Sequence, residues 1–168
     1  MGEQAGDRAD GSKASVQAVD PQHPDALAFL VHAAQEARAL YPDLFAEDTP
    51  LPTNAPAVQG SVYLVAYAGA VPVGCGALHP LQPWVAEVRR MFVTQAARRT
   101  GVATAVLAAL EMHASTMGYR LLRLETGRRQ RAAIALYERC GFRPIAPFGP
   151  YIGDPMSLCF EKSVVTGL

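Results

Sequence analysis

Arg98, Arg99, Thr100, Gly101, Val102 and Ala103 stand in one unbroken run whose residue types suit an anion. Arginine presents a fixed, permanently charged fork that matches phosphate oxygens. Glycine has no Cβ, so the backbone of a turn can come close to a bulky group, and Ala103 is nearly as small. Helical spacing of apolar residues begins at the same place. The first amides of that helix therefore lack intrahelical partners and point at the same spot. A helix glycine costs about 1 kcal/mol relative to alanine, so an early Gly101 needs a reason. The chemistry expected is capture of a phosphorylated ligand; an ordinary helix start with charged neighbours is the alternative. A P-loop hydrolase is excluded, because no G-x-x-x-x-G-K-S/T string occurs. Gly74 and Gly76 lack the third glycine and the following helix of a dinucleotide fingerprint.

The elements that must hold this turn are readable from period and punctuation. Residues 15–19 make a weak first strand. Leu27, Leu30, Val31, Ala34, Ala37 and Leu40 recur at helical spacing between Pro24 and Pro42. Residues 41–60 carry prolines without periodicity and read as a loop. Residues 61–68 and 71–78 form a hairpin about Gly69. Pro80 and Pro83 bracket a second connection before a strand over 85–93. Residues 100–117 form the central helix, with one row through Val102, Val106, Leu110 and His113 and a second through Ala105, Ala109 and Met112. Gly118 is placed to end it in a left-handed cap. A strand over 121–126, a short helix over 130–140 with Ala133, Ile134 and Tyr137 on one face, and a last strand over 157–162 complete the order. Strand, helix, strand over 88–126 is a crossover unit, which implies locally parallel strands.

Composition narrows the function classes. A chain of 168 residues, half of them apolar, suits one domain with a real core. The expected division is a polar tail over 1–14 and a single domain over 15–168. Zero formal net charge argues against bulk binding to nucleic acid or a membrane surface. The charge is uneven: eleven arginines face three glutamates between Arg89 and Arg143. That bias reads as a solvated basic face or as a surface for a polyanion. Cys75, Cys140 and Cys159 form no C-x-x-C pair, so neither a zinc site nor a disulfide framework is implied. A cytoplasmic location is expected, since the first residues lack the apolar core of a signal peptide and no run is long and apolar enough to span a membrane.

The run from Arg98 to Ala103, with MFV before it, a long helix after it, then LRLETG and IALYERCGF, resembles the Gcn5-related N-acetyltransferases (GNAT). Their acetyl-coenzyme A motif begins with Gln or Arg, has Gly in the fourth place and Gly or Ala in the sixth. Ala133, Leu136, Tyr137, Gly141 and Phe142 resemble a second signature of that family. The likeness runs over about 60–162, roughly three fifths of a chain of this domain size.

The resemblance implies an α/β (α+β) fold: a mixed, mostly antiparallel sheet of about six or seven strands, with one splayed parallel pair and flanking helices. It implies an acyltransferase using acetyl-CoA as cosubstrate, with no metal, and a primary amine as acceptor. Main-chain groups of Met91, Phe92 and Val93 would pair with the pantetheine arm as an added strand does. The turn from Arg98 through Thr104 would hold the pyrophosphate, with a bulge expected in the strand before it. Gln130 stands where many members carry asparagine, which keeps the amide on a longer stem. Tyr137 matches the tyrosine that protonates the leaving thiolate; a phenol packed on the helix's apolar face is the plain alternative. An alkylamine must lose a proton before it attacks. Glu87 is the leading carboxylate for that step, on one strand face with Arg89 and Met91 by alternation. Pairing with Arg89 is its structural alternative. His79 is a weaker candidate, and His32 and His113 read as helix-face residues. Asp43, Glu47 and Asp48 could attract a cation, or simply solvate a loop, and Tyr151 could line the acceptor site. A small-molecule acetyltransferase, a protein lysine or N-terminal acetyltransferase, and a non-enzymatic coenzyme A-binding module all fit. A homodimer is compatible with the family, although no interface signal stands in the sequence.

Overall fold

The structure, a computed structural model, describes residues 14–165; the polar tail expected over 1–14 lies outside them except for Ala14. The chain runs β1 (Ser15–Val19), α1 (Pro24–Leu40), β2 (Val62–Ala68), β3 (Val71–Gln82), β4 (Val85–Val93), α2 (Val102–Thr116), β5 (Leu121–Gly127), α3 (Arg131–Arg139), β6 (Arg143–Ile145) and β7 (Ser157–Ser163). The strands form one seven-stranded sheet in the order β1-β2-β3-β4-β5-β7-β6. Every neighbouring pair is antiparallel except β4 with β5, which is parallel. The mixed sheet and its flanking helices match the architecture the sequence implies.

Local chemistry sets the boundaries. Pro24 occupies the first turn of α1, and the preceding His23 caps it by accepting from the Asp25 amide at 3.1 Å. Gly118, with φ at 85°, follows α2. Two expectations shift. β3 runs through Pro80 to Gln82 instead of stopping at Leu78, so the connection is only Pro83 and Trp84. Pairing of β3 with β2 ends at Val62 and Leu78. Past that point β3 has a free edge, where a proline's missing N–H costs no ladder bond. β6, three residues long and containing Pro144, carries no alternation from which it could be read.

The sheet has two apolar faces. On one, α2 lays Val102, Val106, Leu107, Leu110 and Ala114 on Leu64, Leu78, Val88, Leu122 and Leu124, joined by Leu136 and Tyr137 from α3. On the other, Ala26 and Phe29 of α1 pack on Tyr63, Val65, Cys75 and Ala77. The second expected row on α2 is corrected: Met112 is 71% exposed, while Leu107 is fully buried in its place. A buried leucine is worth about 1.5–3 kcal/mol, so this contact, rather than helix propensity, seats α2. Gly74 and Gly76 explain how closely it sits. A Cβ on Gly76 would lie 2.7 Å from Met91 Sδ and 2.8 Å from a Val106 methyl, and one on Gly74 would lie 2.8 Å from Val102.

Candidate active site

The central feature is a place where two strands stop being neighbours. β4 and β5 pair only at Val85 with Leu121, Ala86 with Leu122 and Glu87 with Arg123. Beyond that, β4 follows β3 and β5 follows β7, and a cleft of about 650 Å³ opens between them. Arg89, Arg90, Met91 and Phe92 line it from β4, Glu125 and Thr126 from β5, and Gln130 and Tyr137 from the start and body of α3. The α1 side chains Phe29, Leu30 and Glu36 close it from the opposite face.

The divergence begins at a bulge. Ala77 pairs with Arg89 and Cys75 with Phe92, so two β4 residues, Arg90 and Met91, face Gly76 alone. Arg90 takes a left-handed φ of 59°. It is held there from three sides. The Cys75 thiol donates to its carbonyl at 3.0 Å, and its guanidinium donates to Thr53 O at 2.9 Å and Asn54 Oδ1 at 3.1 Å. Asn54 is itself buried and donates to Pro21 O at 2.8 Å. The extra residue inverts the alternation of the strand. Glu87 and Arg89 share a face as expected, but Met91 does not join them: it packs with the α2 core, and Phe92 takes the α1 side, 5.8 Å from the ring of Phe29.

At the far end of β4, a 3-10 turn (Gln95–Ala97) leads into the basic run. Gly101 is the residue before α2, with φ at 88° and no side-chain cap on the helix. The first intrahelical bond runs from the Ala105 amide to Gly101 O at 3.0 Å, so the amides of Val102, Ala103 and Thr104 have no partner within the helix. Nothing lies within 4 Å of where a Gly101 Cβ would stand. Thr100 turns its hydroxyl back onto Ala97 O, and Arg99 is exposed in a left-handed φ of 64°. Arg98 is already engaged. Its Nε donates to Val93 O at 3.0 Å, and its Nη2 lies 2.6 and 2.7 Å from the two Glu36 oxygens. With both side chains close to half exposed, this is a weak surface pair of about 0–1 kcal/mol.

Tyr137 and Glu87 have different surroundings. Tyr137 is buried on the cleft wall, edge-on to Phe142 at 5.8 Å and beside Phe160 at 6.4 Å. Burial, followed by the nearby Glu125 charge, raises its pKa, so the hydroxyl keeps its proton at neutral pH. Glu87 is 1% exposed and does not line the cleft. Its Oε1 accepts from Arg89 Nε and from the Tyr151 hydroxyl at 3.2 Å; its Oε2 is the one buried side-chain oxygen without a partner among the described residues. Burial, together with the Glu87 charge, pushes the Tyr151 phenol up to about 12. His79 stands opposite Glu87 in the β3–β4 register, its Nδ1 3.2 Å from Pro80 O. His32 is exposed on α1.

Three features escape a linear reading. The α1 wall gives no sign of facing β4. Asp43 is bound by both guanidinium nitrogens of Arg129, at 2.6 and 3.0 Å, and that hydrogen bonding lowers its pKa. It ties the loop after α1 to the cleft rim rather than acting as a free lure for cations. Tyr41 reinforces the tie by accepting from the Arg129 amide at 3.1 Å, and a Cβ on Gly127 would collide with its hydroxyl. Glu125 is the third, and alternation could have found it: Leu122 and Leu124 face the core, so Arg123 and Glu125 must face the other way. Among the described residues, no group of three His, Cys, Asp or Glu side chains is placed to hold a metal ion, and no helix is long and apolar enough to cross a membrane.

The model of the acetyltransferase (GNAT) family matches residues 26–142, more than half of the chain. The IAA acetyltransferase of Azospirillum brasilense is 43% identical over 101 residues, which cover 60% of this chain and 66% of that protein. The match thus spans just under two thirds of that relative's length. The uncharacterized N-acetyltransferase YsnE of Bacillus subtilis is 37% identical over 101 residues, covering 59% of this chain and 67% of YsnE. Among solved structures, a proposed acyl-CoA N-acyltransferase from Klebsiella pneumoniae superposes with a TM-score of 0.76 at 30% identity, over 93% of this chain and 100% of its own. A GNAT acetyltransferase from Elizabethkingia anophelis, crystallised with acetyl-CoA, shares the fold with a TM-score of 0.63 at 15% identity, over 90% of this chain and 99% of its own.

Proposed function

The chain belongs to the acetyltransferase (GNAT) family, and from that premise we propose that it is one N-acetyltransferase domain over 15–168 that moves an acetyl group from acetyl-CoA directly to a primary amine of a small molecule. The observation that carries this reading is the parting of β4 and β5 after Glu87 beside an uncapped helix start. The parting leaves the β4 edge at Met91, Phe92 and Val93 without a β5 partner, so an extended arm can pair with it as an extra strand. The free amides of Val102, Ala103 and Thr104, with the open approach at Gly101, suit a pyrophosphate. Arg98, Arg99 and Thr100 complete that end, and Gln130 offers an amide on the cleft wall. Acetyl-CoA would supply an activated acyl carbonyl.

Tyr137 is the proton donor in this reading: buried, protonated and on the cleft wall, it meets a departing thiolate with a hydroxyl. Glu87 is the carboxylate that assists removal of the amine's proton. Its burial under Arg89 and Tyr151 means that it acts through another group. Direct transfer is favoured because Cys75, the cysteine on the cleft, has its thiol pushed up to about 12 by burial, which suppresses the nucleophilic thiolate. The test is thiol release from acetyl-CoA with a panel of amines and peptides. Small amines that turn over faster than peptides support the proposal. Turnover with peptides alone makes the protein a protein acetyltransferase. Tight acetyl-CoA binding with no turnover makes it a binding module.

A further inference from the structure

Arg89 and Arg90 are consecutive on β4, and the reading above gives neither a ligand. Both line the cleft, and both also line a smaller cavity of about 40 Å³ that shares Tyr63 with it. Asn54 and His79 add polar groups to the wall of this cavity, and no Asp or Glu lines it. The bulge is what brings the two arginines together. Consecutive side chains of an unbroken strand take opposite faces, and an extra residue re-aims one of them. Arg90 is fixed by its bonds to Asn54 and Thr53. Asn54 is fixed in turn by its bond to Pro21 O and by Gln22, which donates to its carbonyl at 3.1 Å. These bonds use Arg90 Nε and Nη2, while Arg89 gives its Nε to Glu87. Among the described residues, Arg90 Nη1 and both terminal nitrogens of Arg89 have no protein acceptor. Two guanidiniums against the single Glu87 carboxylate leave one positive charge in surplus. The negative groups lining the cleft are on other elements: Glu125 on β5, and Glu36 on α1, which is held by Arg98.

We propose that the small cavity receives a carboxylate of the acceptor, which makes the acceptor an amino-carboxylate, a primary amine that also carries a carboxylate; this rests on the acyl-transfer reading. A plain alkylammonium would bring its cation beside two guanidiniums. An amino-carboxylate meets them with its anion and keeps its amine in the cleft, which the shared residues Tyr63, Arg89 and Arg90 place next door. Guanidinium forks match the planar carboxylate and bind it through charge-assisted hydrogen bonds. The size agrees as well. A water needs about 10–15 Å³ of such space, so a cavity of about 40 Å³ suits a carboxylate and excludes a ring. A single surplus charge suits a monoanion better than a doubly charged phosphonate. Because Asn54 and Thr53 hold Arg90 before any ligand arrives, little side-chain freedom is lost on binding. The reaction leaves the carboxylate untouched. The C–N bond forms, the C–S bond breaks, sulfur leaves with the electron pair, and the ammonium gives up two protons, one to the sulfur and one to water.

The experiment measures thiol release with matched acid and amide acceptors at three spacings: glycine and glycinamide, β-alanine and β-alaninamide, γ-aminobutyrate and its amide. At the spacing that fits, wild type should favour the acid in kcat/KM by at least about tenfold, the worth of one hydrogen bond to a charged group. Arg90→Gln should lower that preference by about 10–100-fold, chiefly through KM for the acid. Arg90→Lys keeps the charge without the fork and should fall between the two. An acid preference that survives Arg90→Gln overturns the role of Arg90. Faster turnover of aminoethylphosphonate than of β-alanine overturns the choice of a carboxylate. Binding is read without turnover by nitrogen-15 NMR of the arginine side chains. Propionate should move the Arg90 signals, identified by their loss in Arg90→Lys, and propionamide should not. Unmoved signals overturn the site. Wild type that binds propionate there but releases thiol with none of the amines overturns the acyl-transfer reading, and the assignment of an acceptor with it. Wild type that turns over each amide as fast as its acid overturns this inference alone.

Discussion

The two ends of the cleft are made of different material. The end proposed for the donor is mostly backbone: unpaired amides at the start of α2, a glycine with open space above it, and a strand edge freed by the parting of β4 and β5. The end proposed for the acceptor is side chains, gathered from β4, β5, α3 and the loop before β7. A backbone site needs only a turn of the right shape and small residues, so a short run of sequence carries it. A side-chain site needs a particular group on each of several elements. Changes at the acceptor end should therefore strike turnover and spare donor binding, and changes at the donor end should do the reverse.

The largest effect expected is that of Tyr137→Phe. It should lower kcat by about 10²–10⁴-fold with little change in acetyl-CoA affinity measured by calorimetry. Equal loss of affinity would erase the contrast between the ends. At the donor end, Gly101→Glu brings a like charge to the pyrophosphate and should weaken acetyl-CoA binding by at least about tenfold, or roughly 1.4 kcal/mol. Gly101→Ala, which carries only the strain of a residue at φ 88°, should lose less; similar losses would mean that strain, not charge, governs this turn. Between the ends, Gly76→Val would force a branched side chain against Met91 and Val106 and should destabilise the fold by about 1–3 kcal/mol, read from the urea midpoint.

Glu125→Gln should carry a pH-dependent stability signature. A carboxyl whose native pKa is raised contributes stability in its protonated state, and that contribution is lost as pH rises through the native pKa. The glutamine variant should therefore melt above wild type at neutral pH, and the gap should close as pH falls below the ordinary glutamate range. A melting temperature that stays below wild type at every pH would mean Glu125 is structural. The smallest effect is at Glu36→Gln, which releases Arg98 from a half-exposed pair. Acetyl-CoA affinity should rise by no more than a few-fold, within the ~1 kcal/mol such pairs carry.

Much of the scaffold was legible because its signals are local. The spacing of Leu27, Leu30 and Ala34, the alternation in 121–126, and glycines at 69, 101 and 118 each act within a few residues of themselves. A linear reading ends β3 at Leu78, whereas Pro80 breaks a strand only when its N–H is needed, and that depends on where β2 ends. Alternation puts Met91 on the face of Glu87 and Arg89 because it assumes an unbroken ladder, and the bulge at Arg90 depends on partners in β3 and in the loop through Asn54.

By themselves, the residues from Arg98 to Thr104 and those around Tyr137 determined the family signature and the expected donor, since backbone shape and small side chains are properties of a short run. Which of the two carboxylates lines the cleft was decided only by the tertiary structure. Glu87 and Glu125 are both glutamates on alternating strands. Whether each lies on the cleft or beneath it follows from the parting of β4 from β5, the guanidinium of Arg89 and the hydroxyl of Tyr151. Those contacts join residues far apart in the chain, and burial and field, which set the chemistry of a carboxylate, exist only once they have formed.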